Sequence, residues 1–209
     1  MSVISEFHKK YYDSNVWYTN TKWMGIPIQK CPLDLWIYQD ILCEVLPDII
    51  IETGSMFGGS ALYLAHMCDI LNHGKVISVD ITDSFADGTL IERPKHDRIT
   101  YIIGSSVSQL VLDQLKTCDG KILVILDSDH SKDHVLQEMN LYASFVSIGS
   151  YLIVEDTNVN GHPICCDHGP GPFEAVTEFL VNNKNFQIDI SREKFLMTQN
   201  PSGYLKRII

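Results

Sequence analysis

From Asp48 onward the chain alternates two patterns of apolar and polar positions. The runs "DIIIET", "KVISVD", "ITYIIG", "KILVILD" and "SYLIVED" are nearly continuous in Ile, Val and Leu, and between them lie stretches of helical spacing such as "GGSALYLAHMCDIL", "SVSQLVLDQLK" and "DHVLQEMNLYASF". Apolar runs without in-out alternation belong to strands covered on both faces. Their alternation with helices predicts a parallel, doubly wound α/β sheet. After a further helix near "GPFEAVTEFLVNN", the stretches "FQIDIS", "FLMTQ" and "YLKRII", with turn residues "NPSG", predict an antiparallel hairpin at one sheet edge. Residues 1–47 hold all three tryptophans and a helix predicted from Pro32 to Leu46. They read as a cap or lid on a core of residues 48–209, the two forming a single domain.

Composition narrows what such a sheet binds. The 209 residues carry 26 acidic and 16 basic side chains, a formal net charge of -10. Nucleic-acid binders present a basic face, so this balance points to a small-molecule partner and no nucleic acid. No segment approaches the roughly 20 apolar residues that span a bilayer, and "MSVISEFHKKYYDSN" lacks a signal-peptide core. A cytoplasmic protein without a membrane partner is expected. The six cysteines show no CxxC spacing and read as buried, reduced thiols, a zinc site being the lesser alternative. The aromatic N-terminal segment makes a homo-oligomer reasonable.

In open α/β sheets, ligands bind beyond the carboxyl ends of the strands. Here the predicted strands end in acids: Glu52, Asp80, Asp127, and Glu155 with Asp156. After Glu52 comes "TGSMFGGS", where Gly54, Gly58 and Gly59 allow a sharp turn and close approach of a ligand. The spacing is neither the dinucleotide fingerprint nor a P-loop, which disfavours a pyrophosphate. Free amides at the following helix start, Ser55 included, suit a carboxylate, such as the methionine end of S-adenosylmethionine, with Glu52 facing its ammonium or sulfonium. Asp80 is placed to accept both ribose hydroxyls or, alternatively, to cap a helix. In "GSS", Ser105 borders an adenine or caps the next helix.

The stretches "LDSDHS" and "VEDTN" gather Asp127, Asp129, Glu155 and Asp156. These oxygen donors suit magnesium or another hard divalent cation, which would relieve their mutual repulsion; the alternative is that they cap helices. His130 titrates in the range a general base needs, whereas His134, one turn on, reads as solvated. The loop "NVNGHPICCDHGPGP" reads as a substrate-facing wall or a plain surface loop, and Trp17, Tyr18 and Trp23 as a closure over the site or as core or subunit-contact packing.

The stretches "KCPLDLWIYQDIL", "ETGSMFGGSALYLA", "LDSDHSKDHVLQEM", "GSYLIVEDTNVNGHP" and "GPGPFEAVTEFL" together resemble the cephalosporin hydroxylase and rhamnosyl O-methyltransferase family. The resemblance implies a three-layer, Rossmann-like class I methyltransferase fold whose mostly parallel seven-stranded sheet ends in an antiparallel C-terminal hairpin. It implies Glu52, Gly54 and Ser60 around the methionine portion of S-adenosylmethionine, Asp80 on its ribose, and Asp127 or Asp129 with Glu155 and Asp156 on magnesium. The implied activity is magnesium-assisted O-methylation of a sugar or small secondary metabolite, with Asp127 and His130 at the reacting end. In the similar catechol enzymes a lysine holds the place that His130 has here. The alternative is a non-catalytic S-adenosylmethionine-binding subunit that assists a partner hydroxylase. A Rossmann dehydrogenase lacks its GxGxxG.

Overall fold

The computed structural model describes residues 2–209. Its elements run α1 (Val3–Asp13), α2 (Val16–Thr19), β1 (Lys22–Trp23), β2 (Ile26–Pro27), α3 (Pro32–Val45), β3 (Ile49–Thr53), α4 (Gly59–Ile70), β4 (Lys75–Asp80), β5 (Ile99–Ile103), α5 (Gln109–Leu115), β6 (Ile122–Leu126), α6 (Lys132–Tyr142), β7 (Tyr151–Val154), α7 (Pro172–Asn182), β8 (Phe186–Ile188) and β9 (Tyr204–Arg207). The main sheet has seven strands in the order β5-β4-β3-β6-β7-β9-β8. Pairing is parallel from β5 through β7, and β9 lies antiparallel to both of its neighbours.

Successive side chains of a strand point to opposite faces, so each apolar run feeds two cores. Ile49 and Ile51 join Val124, Leu126, Leu152 and Val154 in the core that includes α5, α6 and α7 residues. Ile50 joins Leu123, Ile125, Tyr151 and Ile153 in the core that includes α3 and α4 residues. Each fully buried Ile or Leu contributes about 1.5–3 kcal/mol through loss of apolar surface to water.

The sheet's strand order reverses between β3 and β6, and there the backbones leaving the two strands are in contact. The Asp127 amide donates to the Thr53 carbonyl at 3.0 Å. Gly54 has φ +87, and a Cβ added to it would lie 1.8 Å from the Asp127 carbonyl oxygen. Only glycine meets both conditions.

The N-terminal segment is packed into this arrangement as a wall. A Cβ on Gly59, at the start of α4, would lie 2.1 Å from the Pro27 carbonyl oxygen. Asp34, in the first turn of α3, is buried and accepts from the Gln199 amide at 2.8 Å, the Tyr204 hydroxyl at 2.9 Å and the Thr198 hydroxyl. Burial pushes its pKa up to about 6, against these hydrogen bonds.

The predicted antiparallel hairpin pairs β8 with β9, and "FLMTQ" is not one of its strands. That stretch spends its hydrogen bonds elsewhere: Gln199 gives its amide to Asp34 and its carbonyl to the Asn158 amide. Among the described residues no helix is long and apolar enough to cross a membrane.

Gly88 also has positive φ, +84, but nothing lies within 4 Å of its added Cβ. Gly88→Ala should therefore cost only the left-handed backbone term, about 1–2 kcal/mol. Gly54→Ala should cost at least ~2 kcal/mol more because it adds the collision; denaturant unfolding of the two variants checks the difference.

Candidate functional site

A cavity of about 730 Å³ opens beyond the carboxyl ends of the strands. Its walls are the β3–α4 turn (Gly54 to Phe57, Gly59 and Ser60), Val79 to Thr82 after β4, Gly104 to Val107 after β5, Asp127 to His130 after β6, and Asp156. Trp17, Tyr18 and Pro27 to Gln29 of the N-terminal segment close the remaining side.

At one end stands Asp80. Its carboxylate accepts from the Met56 amide at 2.7 Å and the Thr82 amide at 3.2 Å, and pairs with Arg93 at 3.1 Å. Ser55 and Ser60 line the cavity nearby, as does Ser105. Two predicted residues lie behind the wall. Gly58 has φ +77, and its added Cβ would meet the Tyr101 hydroxyl oxygen at 2.6 Å. Glu52 is fully buried beneath the turn, where it accepts from the Ser78 hydroxyl at 2.6 Å. Burial raises its pKa, Lys30 and the neighbouring hydroxyls opposing.

At the other end the acids of β6 and β7 divide into two groups. Glu155 turns inward: it accepts from the Tyr38 hydroxyl at 2.6 Å and pairs with the Lys30 ammonium at 2.7 Å. Lys30, only 3% exposed, also pairs with Asp127. Burial alone would lower the lysine pKa, but Asp127, Glu155 and Glu52 together raise it and hold the side chain as an ammonium. Burial, followed by the charge of Asp127, pushes Glu155 up to about 8, with Lys30 opposing. Asp127 goes the other way: its burial is outweighed by Lys30 and His130, which keep it ionised.

The second group faces the cavity. The His130 ring nitrogen Nε2 lies 3.4 Å from Asp127 Oδ1 and 3.3 Å from Asp156 Oδ2. Burial lowers the imidazole pKa, but Asp156 and Asp127 more than reverse this and raise it to about 9. Asp127, His130 and Asp156 can each offer one ligand atom, all within 4.8 Å of one another, the single such group among the described residues. The two carboxylates of this set are oxygen donors that fit a hard divalent cation such as magnesium. Asp129 is not in it. Its carboxylate accepts from the Ser131 amide at 2.7 Å ahead of α6, which holds its pKa down.

Other expectations need correction. His134 lines the cavity, with Nε2 3.2 Å from Ser128 Oγ and 3.4 Å from Ser106 Oγ, because α6 packs its first turn against the β5 and β6 ends. The loop of residues 156–171 gives the cavity only Asp156; Glu174 braces it from behind through Asn160, His162 and the Gly171 amide. Trp23 packs on Tyr63 and donates to His66, away from the site. All six cysteines are free, but only Cys31 and Cys68 are buried, while Cys43, Cys165 and Cys166 are exposed. Lys30 and Arg93 were missed. Lys30 carries a faint mark, a lone charge between Ile28 and Cys31; Arg93, in the polar run "IERPKHDR", carries none.

Residues 15–208 match the family model described as Rhamnosyl O-methyltransferase/CmcI. The chain is 41% identical over 213 residues to a rhamnosyl O-methyltransferase of Mycobacterium bovis (strain BCG / Pasteur 1173P2), covering 99% of this chain and 85% of that protein. Identity to the rhamnosyl O-methyltransferase of Mycobacterium leprae (strain TN) is also 41%, covering 99% and 91%. Among solved structures, CmcI with Mg and SAM superposes with a TM-score of 0.70 at 22% identity, covering 92% of this chain and 78% of that one. A caffeoyl-CoA O-methyltransferase-like protein from Staphylococcus aureus gives 0.59 at 13%, covering 90% and 86%; both likenesses are in fold.

Removing the Lys30 charge while keeping its bulk, as in Lys30→Met, leaves Asp127 and Glu155 buried without their cation and should cost roughly 3–5 kcal/mol in chemical unfolding. A pH series gives a second check. His130 has its pKa raised to about 9 from 6.5, so its contribution to stability is complete below the unfolded value and disappears as pH climbs through the folded one. Metal-free protein should lose stability between those two pH values, and His130→Gln should flatten that slope in thermal unfolding.

Proposed function

Because the chain belongs to the rhamnosyl O-methyltransferase/CmcI family, we propose that it transfers a methyl group from S-adenosylmethionine to a hydroxyl of a sugar or similar small metabolite, assisted by a divalent cation. It is an S-adenosylmethionine-dependent O-methyltransferase; the acceptor class and the cation are the parts proposed. The observation that carries the reading is one continuous cavity with the glycine turn and Asp80 at one end and Asp127, His130 and Asp156 at the other.

Each residue then has a task. Gly54, Ser55 and Ser60 receive the amino-acid end of the cofactor, Asp80 its ribose, and Ser105 the edge of its adenine. Gly54 lets the turn lie directly against the Asp127 backbone, where a Cβ would collide, so the cofactor turn sits beside the reacting end. Glu52, beneath that turn, adds negative potential below the position of the sulfonium.

Asp127 and Asp156 are the residues that would hold the cation, with Glu155 supporting them from the Lys30 side. Bound there, magnesium or a similar ion supplies Lewis acidity that lowers the pKa of an acceptor hydroxyl. His130 is assigned the proton, with Asp127 orienting the ring. At neutral pH the two carboxylates favour the protonated imidazole, so the ring takes the acceptor's proton at Nε2, between Asp127 and Asp156, only from its neutral form. Holding oxygen and methyl carbon near contact distance accounts for much of the acceleration, since sulfonium is already a good leaving group. Trp17 and Tyr18 exclude water from that side.

Incubation with S-adenosylmethionine and a panel of sugars and phenols, with magnesium or with a chelator, should yield a product heavier by one CH₂ in the magnesium arm. Asp156→Ala should lower that turnover about 100-fold or more, while calorimetric affinity for S-adenosylmethionine changes by less than about twofold. Cofactor binding with no methylated product from any acceptor class would argue instead for a non-catalytic subunit.

A further inference from the structure

The connection between β4 and β5 carries a second built feature, resting on Arg93. Its side chain is only 6% exposed. Nε donates to the Met56 carbonyl at 2.8 Å, and Nη2 donates to the Thr82 carbonyl at 2.8 Å and pairs with Asp80 Oδ2 at 3.1 Å. The guanidinium carbon lies 5.7 Å from the centroid of the Tyr101 ring. One planar group thus joins the glycine turn after β3, the acid that ends β4, and the segment that follows it.

The consequence lies in how the Asp80 carboxylate is used. Oδ2 accepts from both Met56 N and Arg93, whereas Oδ1 accepts only from Thr82 N, and at a longer distance. The free accepting capacity of the carboxylate therefore sits on Oδ1. Met56 is held at φ 40, an uncommon conformation for a residue with a side chain. Its amide points at Asp80 while its carbonyl is taken by Arg93. Without the guanidinium, the Met56 and Thr82 carbonyls would lose a common donor, and the Asp80 carboxylate would be held only by the Met56 and Thr82 amides, whose own peptides had lost that brace.

We propose that Arg93 is a positioning residue for the cofactor's nucleoside, which fixes the Asp80 carboxylate and the Met56 peptide so that Oδ1 is presented to a ribose diol. The inference rests on the S-adenosylmethionine reading of the cavity. Arg93 lies behind the wall and acts through Asp80. The role requires the planar fork of arginine, because a lysine ammonium cannot address two carbonyls and a carboxylate in this arrangement.

The test measures binding of S-adenosylhomocysteine by calorimetry to the unaltered chain, Arg93→Lys, Arg93→Met, Asp80→Ala and the double variant Asp80→Ala with Arg93→Met. Both Arg93 variants should bind at least ~10-fold more weakly, with kcat at saturating S-adenosylmethionine within about twofold, a KM effect without a kcat effect. In the Asp80→Ala background the Arg93→Met penalty should shrink to below about twofold, because the two residues act as one unit. Wild-type affinity in Arg93→Lys, or an undiminished penalty in the Asp80→Ala background, would overturn the proposal. If Arg93→Met does not fold, Arg93→Lys and its Asp80→Ala double variant decide by the same comparison. No binding by the unaltered chain would remove the cofactor reading and this inference with it, an outcome separable from selective loss in the variants.

Discussion

A single buried ammonium makes the acidic edge of this sheet possible. Glu52, Asp127, Glu155 and Asp156 converge from three neighbouring strands, and two like charges 4 Å apart repel by about 4 kcal/mol even at an effective dielectric near 20. Lys30 enters from outside the sheet and meets two of these acids at once. Its presence divides the edge by function. The inner part, Glu155 with Tyr38 and Lys30, is buried and paired through one carboxylate oxygen, while the outer part, Asp127 with His130 and Asp156, faces the cavity. The chemistry assigned to the outer part depends on the inner part remaining neutralised.

The same economy governs the two ends of the cavity. In the proposed assignment Gly54 belongs to the cofactor turn and Asp127 to the reacting end, and their backbones touch where the strand order reverses. Donor and acceptor sites are therefore held at a separation set by adjacent strands of a rigid sheet. That is the accuracy in-line transfer needs, since small misplacements of reacting atoms are costly. Side chains then refine what the backbone fixes, Asp80 through its braced carboxylate and His130 between two acids.

The sheet was readable because burial on both faces writes itself as uninterrupted apolar runs, and the helices between them follow from period and length. The acids at the strand ends were readable because an open parallel sheet presents its carboxyl edge to ligands. Orientation was not. Whether Glu155 looks inward or outward depends on Lys30, which lies 125 residues earlier in the chain, and nothing local in "VEDTN" records it. Likewise His134 reads as solvated by helical period, but the packing of α6 against the β5 and β6 ends turns it to the cavity. "FLMTQ" has a strand's composition, yet its polar positions are claimed by Asp34 and Asn158, contacts no local pattern announces.

The contact between Pro27 and Gly59 bears on how such a chain diversifies. A wall resting on the bare backbone of a helix start cannot be exchanged for that of a distant relative as an independent module, because its carbonyl, its lysine and the glycine beneath must agree in shape and charge. Variation in acceptor preference is then channelled to positions that touch the cavity without touching this seam, Trp17 and Tyr18 foremost, leaving the seam itself to drift only through paired replacements.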